Sequence, residues 1–306
     1  MGWDPSNDGE TMSVLGLKGI IPPMATPFTP DEEVDEDALR REVGYFLDVG
    51  VRGLAVCGST GEGYALTMDE VAHISEVAVD EAKGRVPVIA GVITNSTKTA
   101  LQYAQKVREV GVNALMVTPP HYIFVTTEQG LYEYYRDIAE QVGLPVLVYN
   151  VIPHVDVSVG VVSRLTEAKL IQGVKQSRGD IHALADMIKA VGQKIPVFSA
   201  LDDMLFPSFV IGARGAVAAI CTVVPELCVH LYEAVKRGDM EAGRELHYRI
   251  LPIWRAVGKG NMPARLKEAL ALLKRSVGPA RGPLTPLAPE ERLEVRKALV
   301  EAGLIK

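Results

Sequence analysis

The chain has 306 residues, 48% of them hydrophobic, with 32 Lys and Arg against 38 Asp and Glu and a formal net charge of -6. An acidic balance without a basic run argues against a nucleic-acid partner, and no stretch reaches the roughly 18 consecutive apolar residues of a membrane helix. Three cysteines, Cys57, Cys221 and Cys228, are too sparse for a disulfide framework and point to a reducing cytoplasm.

Residues 1–15, beginning Met1-Gly2-Trp3-Asp4-Pro5, are polar and lack the positive start and apolar centre of an export signal; they read as a disordered lead-in. From Gly19 onward, short apolar runs alternate with amphipathic ones. Strands are expected at 20–25, 53–57, 87–92, 114–118, 145–149, 171–175, 196–199 and 216–220. Helices are expected between them, at 35–50, 68–83, 96–110, 127–142, 158–168, 180–191, 202–212 and 225–237. Asp35, Ser96 and Ser158 are expected N-caps, and Pro225 fits a first helical turn. Gly50, Gly84, Gly111, Gly143 and Gly192 mark helix ends.

Strands that are apolar throughout, rather than alternating, belong to a parallel sheet buried on both faces. A doubly wound sheet shares this pattern. The count of eight units and the lack of a dinucleotide fingerprint favour an α/β fold of the (β/α)8 TIM-barrel type, expected over 16–237. Three further helices, at 240–257, 262–276 and 289–302, make a C-terminal helical appendage over 238–306 that covers the barrel or supports assembly.

The active site of such a barrel lies at the C-terminal strand ends. The second expected strand runs into Gly58-Ser59-Thr60-Gly61-Glu62-Gly63, whose glycines let the backbone approach a ligand beside two hydroxyls, a cradle for a carboxylate. An ordinary turn capped by Ser59 or Thr60 is the structural alternative, and no phosphate-loop pattern follows. The fourth strand runs into Thr118-Pro119-Pro120-His121-Tyr122, the fifth ends at Tyr149-Asn150, and the sixth ends at Lys175. Burial disfavours the ammonium form, so a lysine at an apolar strand end reads as a neutral amine nucleophile toward a carbonyl, or else as a side chain that snorkels to solvent. Tyr149 either fills the barrel mouth or shuttles a proton beside that lysine. Cradle, phenol and lysine together describe imine formation with a 2-oxo acid, the chemistry of class I aldolases, which requires no metal. No CxxC or HExxH pattern occurs. His73, His182, His230 and His247 fall on expected helices, as surface or packing residues.

Gly58-Ser59-Thr60-Gly61-Glu62, Tyr149-Asn150-Val151 and Gly173-Val174-Lys175 resemble three signature stretches of the dihydrodipicolinate synthase / N-acetylneuraminate lyase family. The resemblance extends from about Gly19 to the C-terminus and includes Ala25-Thr26-Pro27-Phe28 and the terminal helices. It implies Lys175 as the Schiff-base lysine and Tyr149 as the proton-relay phenol, assisted by Ser59. Ser59 and Thr60, with backbone N–H groups that include the Gly58 turn, would hold the pyruvate carboxylate. Val217 falls where the family places a backbone carbonyl near the reacting centre. Pyruvate or another 2-oxo acid and an aldehyde are the implied partners, with no cofactor beyond the covalent imine, in a homotetramer built from tight dimers.

Two positions depart from the pattern. Where the synthase proper has the second tyrosine of the strand-4 loop, this chain has His121, with Tyr122 one place later. Where the synthase has an arginine five residues beyond the phenol, this chain has His154. Arginine offers a permanent charge and a bidentate fork for a substrate carboxylate, and histidine offers neither reliably at neutral pH. A class I lyase that joins pyruvate to an aldehyde or cleaves a 2-oxo acid to pyruvate is therefore expected, with the synthase proper, acting on aspartate semialdehyde, and a keto-deoxy-sugar-acid aldolase as alternatives. A non-catalytic binder of 2-oxo acids is the reading from outside the enzymes.

Overall fold

The computed structural model describes residues 16–306, so the lead-in expected at 1–15 lies outside the described residues. Eight parallel strands follow in chain order: β1 Gly19–Ile20, β2 Leu54–Val56, β3 Val88–Val92, β4 Ala114–Val117, β5 Val146–Asn150, β6 Gly173–Gln176, β7 Val197–Ser199 and β8 Gly215–Ala216. Helices alternate with them: α1 Glu36–Val49, α2 Met68–Ala82, α3 Thr97–Glu109, α4 Glu128–Val142, α5 Val159–Glu167, α6 Ile181–Val191, α7 Leu205–Val210, α8 Ile220–Val223 and α9 Pro225–Lys236. Then come α10 Met240–Val257, α11 Met262–Leu272 and α12 Pro289–Glu301.

Each strand from β2 to β7 pairs in parallel with the next, and β8 returns to β1 through Gly19 opposite Gly215 and Ile20 opposite Ala216. Between β1 and β2 the seam is thin for a covalent reason. Pro22 and Pro23 have no N–H to donate, which cuts β1 shorter than the expected 20–25. The Pro22 carbonyl still accepts from Ala55 N at 3.1 Å, and Met24 N donates to the Ala55 carbonyl at 2.8 Å, so the ring closes as a (β/α)8 barrel.

Strand alternation sorts the apolar side chains into two shells. Leu147 and Tyr149 face the barrel interior with Ala55, Ile89, Met116 and Phe198, while Val146 and Val148 pack outward against the helices. Asp35, Ser96 and Ser158 cap their helices by accepting from Ala38, Thr99 and Val161 N–H groups, as their chemistry predicts. Gly50 and Gly143 close α1 and α4 in the left-handed conformation, whereas Gly192 stays right-handed after α6.

Two stretches differ from expectation. Ile220, expected to end the eighth strand, begins α8, because an apolar run reads alike for a strand and for a helix buried on all sides. The helix expected over 202–212 starts as a single 3-10 turn, Asp202–Met204, before α7. The C-terminal helices add Ile250, Ile253, Leu266, Leu270 and Leu299 to the core beneath β1, β8 and α9. Arg275, beyond α11, pairs with Glu42 of α1 at 2.6 Å and donates to the carbonyls of Thr222 and Val223 at 3.1 and 3.2 Å. Burial pushes the Glu42 carboxyl above its ordinary range and the Arg275 charge opposes this, so removing either partner would strand a buried charge.

Candidate active site

Lys175 and Tyr149 stand directly opposite each other in the β5–β6 register. Residue i of one strand and its partner on the next point to the same face, so both side chains enter the barrel mouth. Lys175 is 3% exposed, and its Nζ lies 3.8 Å from the centre of the Tyr149 ring. It does not reach out to solvent as a snorkelling lysine would. The Tyr149 hydroxyl donates to Ser59 Oγ at 3.1 Å, linking the phenol to the loop after β2. Thr60 is buried beside it.

That loop is shaped by close backbone packing. A Cβ on Gly63 would lie 2.0 Å from the Cys57 carbonyl oxygen, and one on Gly91 of β3 would lie 2.3 Å from the same atom, so only glycine fits at either position. Gly58 packs against the Met116 side chain, and its carbonyl accepts from Gly63 N at 3.0 Å. Thr26, at the end of the first strand segment, donates to the Gly61 carbonyl at 2.6 Å. Val217 is fully buried in the inner shell that also contains Tyr149, and its N–H donates to the Ser199 carbonyl at 2.9 Å.

Behind Tyr149 and Lys175, the next residues of the two strands form a second buried pair. Asn150 Nδ2 donates to Gln176 Oε1 at 3.1 Å and to the Val157 carbonyl at 3.3 Å, while Asn150 Oδ1 accepts from Val157 N at 3.2 Å. Ser177 and Arg178 N–H groups both donate to the Asn150 carbonyl. The strand ends that carry Tyr149 and Lys175 are thereby locked to each other.

The two histidines occupy the rim. His121 N and Tyr122 N donate to Asn95 Oδ1 at 3.0 and 2.9 Å, and His121 Nδ1 lies 3.2 Å from the Pro119 carbonyl. His154 is exposed, with Nε2 2.8 Å from the His121 carbonyl oxygen, so the loops after β4 and β5 are tied together. Among the described residues, no hydrogen bond connects either histidine to the Lys175, Tyr149 and Ser59 group. Tyr122 is 70% exposed on the same loop.

One carboxylate at the mouth escaped the sequence reading. Asp202 Oδ1, just beyond β7, accepts from Ile220 N at 2.7 Å. Burial of its carboxyl pushes it up to about 7, against the pull of that N–H and of nearby Lys175. Its position at a C-terminal strand end is the signal that could have found it. Among the described residues, no group of three or more His, Cys, Asp or Glu side chains is arranged to hold a metal ion.

The chain as a whole is similar to known proteins. The model of the dihydrodipicolinate synthetase family matches residues 16–302. The 4-hydroxy-tetrahydrodipicolinate synthase of Methanopyrus kandleri is 34% identical over 94% of this chain and 97% of its own, and that of Bradyrhizobium diazoefficiens is 33% identical over 94% and 98%. Among solved structures, the dihydrodipicolinate synthase of Thermotoga maritima superposes with a TM-score of 0.90 at 30% identity, covering 94% of this chain and 99% of its own. That of Aquifex aeolicus gives 0.89 at 30% identity, with the same coverage. The chain belongs to the dihydrodipicolinate synthetase family, whose members are metal-independent lyases that condense pyruvate with an aldehyde through a lysine Schiff base.

Proposed function

We propose that Lys175 forms the imine with pyruvate and that Tyr149, assisted by Ser59, moves the protons of that reaction. The observation that carries this reading is the contact of Lys175 Nζ with the Tyr149 ring at 3.8 Å, with the phenol bonded onward to Ser59 at 3.1 Å. The amine attacks the pyruvate carbonyl carbon, and the carbonyl oxygen leaves as water after accepting protons relayed by the phenol. Loss of a methyl proton then gives an enamine, whose carbon attacks the aldehyde carbon while the aldehyde oxygen takes up a proton to become a hydroxyl, and water returns to hydrolyse the imine, release the product and free Lys175. Thr60, Ser59 and the N–H groups from Gly58 onward hold the pyruvate carboxylate, with the Val217 backbone facing the reacting centre.

The aldehyde lies toward His121, Tyr122 and His154. His154 is engaged with the His121 carbonyl and brings no guanidinium fork, which favours a polar, hydroxylated aldehyde over one held by its own carboxylate. A second reading, 4-hydroxy-tetrahydrodipicolinate synthase acting on pyruvate and aspartate semialdehyde, is favoured by the names of the relatives. The unit of action is a homotetramer of tight dimers in the cytoplasm, with barrel residues 16–237 and appendage residues 238–306, and with no cofactor beyond the imine. Exposed Tyr122, Ile123, Phe124 and Val125 support assembly through that loop.

Borohydride trapping with pyruvate, followed by peptide mapping, tests the first half. A single reduced adduct on Lys175 is expected; none, with pyruvate binding still measurable, would leave a 2-oxo-acid binder. Turnover across a panel of sugar-derived aldehydes and aspartate semialdehyde then separates the two readings of the second substrate.

A further inference from the structure

The loop after β2 is tied to the C-terminal helices by a buried ion pair that the reaction above does not use. Glu62 is 0% exposed and Lys267 of α11 is 3% exposed, with Lys267 Nζ 2.7 Å from Glu62 Oε1. The other carboxylate oxygen accepts from Arg281 N at 2.9 Å, and Lys267 Nζ also donates to the Pro279 carbonyl at 2.7 Å. Burial holds the Lys267 amine below the ordinary lysine range, and the Glu62 charge opposes that. The Arg281 guanidinium continues the connection, donating to the Ala65 carbonyl at 3.0 Å and pairing with Glu70 of α2 at 2.6 Å. Lys267 and Arg281 both contact the Phe28 ring, at 4.3 and 4.2 Å from its centre, so the loops after the first two strands and the C-terminal segment meet at one point.

An ion pair this deep carries a desolvation cost that a simple surface turn would not require. The backbone supplies the reason for it. Cys57 and Glu62 both have φ of 56°, a left-handed conformation uncommon for residues with a Cβ, and they bracket Gly58 to Gly61. Such conformations persist where the surroundings over-determine them. Glu62 N donates to the Ser59 carbonyl at 3.1 Å and Gly63 N to the Gly58 carbonyl at 3.0 Å. The setting of Glu62 therefore passes directly into the turn that carries Ser59 and Thr60.

We propose that Glu62 and Lys267 are positioning residues, whose buried pair holds the loop after β2 in the shape that presents Ser59 and Thr60 to the pyruvate carboxylate. The C-terminal helices are on this account part of the scaffold of the active site. The inference rests on the reading of Ser59 and Thr60 as the carboxylate cradle, and the wild-type enzyme controls for that reading: if it fails to trap pyruvate on Lys175, the proposed function fails first.

With trapping established, the experiment compares Glu62→Gln, Lys267→Met and Lys267→Arg in the full chain, with folding followed by circular dichroism. The expected result for the first two is a rise of about 10- to 100-fold in the pyruvate concentration that half-saturates trapping and turnover, with a smaller fall in maximal turnover because the same turn carries Ser59 to the Tyr149 hydroxyl. Lys267→Arg, which keeps the charge, should recover most of the wild-type value. Folded single variants with unchanged half-saturation, or with a loss confined to maximal turnover, would overturn the proposal. Should both singles unfold, the neutral double variant Glu62→Gln/Lys267→Met removes the stranded charge and is read the same way. A double variant that binds pyruvate normally, or one that also unfolds, restricts the pair to folding and overturns the proposal.

Discussion

Tyr149 and Lys175 face each other from adjacent strands, nearly fully buried, whereas the loop from His121 to Val125 at the same end of the barrel exposes Phe124 to 84%. The first pair is positioned by sheet register, by the inner apolar shell and by the Asn150–Gln176 lock behind it. The second region is held by Asn95 under its backbone and by the His154 ring against the His121 carbonyl. In the proposed reaction, groups that meet the bond-forming atom sit on rigid strands, and groups that select among partners sit on loops that tolerate change. The same division separates the proposed imine centre from the two histidines.

The sharpest way to break the comparison is at the rigid pair. Tyr149→Phe keeps the ring under Lys175 and removes only the hydroxyl that meets Ser59. Turnover should fall by about 10²–10⁴, the size of a general acid–base contribution, with the fold unchanged by circular dichroism. An unaltered rate would take Tyr149 out of the proton path.

On the loop side, His154→Arg should act on selection and not on the imine. Activity with a carboxylate-bearing aldehyde such as aspartate semialdehyde should rise by about tenfold in kcat/KM, the worth of one charged contact, while pyruvate trapping stays the same. If trapping changes instead, the two regions are not separable. Phe124→Asp probes the exposed surface itself. It should shift sedimentation toward a smaller species, and an unchanged species would remove this loop from assembly.

A separate effect, on stability and not on turnover, is expected from Asp202. In the unfolded chain this carboxyl releases its proton near 3.8, and in the folded protein it keeps the proton until about 7. Between those values the folded state binds more protons than the unfolded state. This group therefore makes stability fall as pH rises through that window and then level off, by at most about 1.4 kcal/mol per pH unit. Asp202→Asn should flatten that part of the profile in denaturant titrations run from pH 4 to 7; an unchanged slope would assign the decline elsewhere.

Much of this architecture was legible in the sequence because local chemistry encodes it. Ser96 and Ser158 cap helices for the reason any hydroxyl before a helix does, and Tyr149 and Lys175 fall at strand ends because the apolar runs stop there. The short β1 was also written in the chain, in the two prolines, although the apolar run hides it. Neither Glu62 nor Lys267 carries such a sign, since their partnership spans two hundred residues and exists only once the barrel is closed. Asp202 stands just beyond a strand, but the apolar and polar spacing of 202–212 reads as a helix and gives its carboxyl no sign of burial.

The pairing of Glu42 with Arg275, 233 residues later, and the return of β8 to β1 bear on how the protein is made. During synthesis at roughly 5–20 residues per second, α1 leaves the ribosome about 10–50 s before the partner of its buried carboxylate exists. Until β8 follows, the early strands present an open, apolar edge with no mate. The nascent chain must be shielded or must collapse reversibly until β8 arrives, and truncations that remove β8 would leave this edge permanently uncovered.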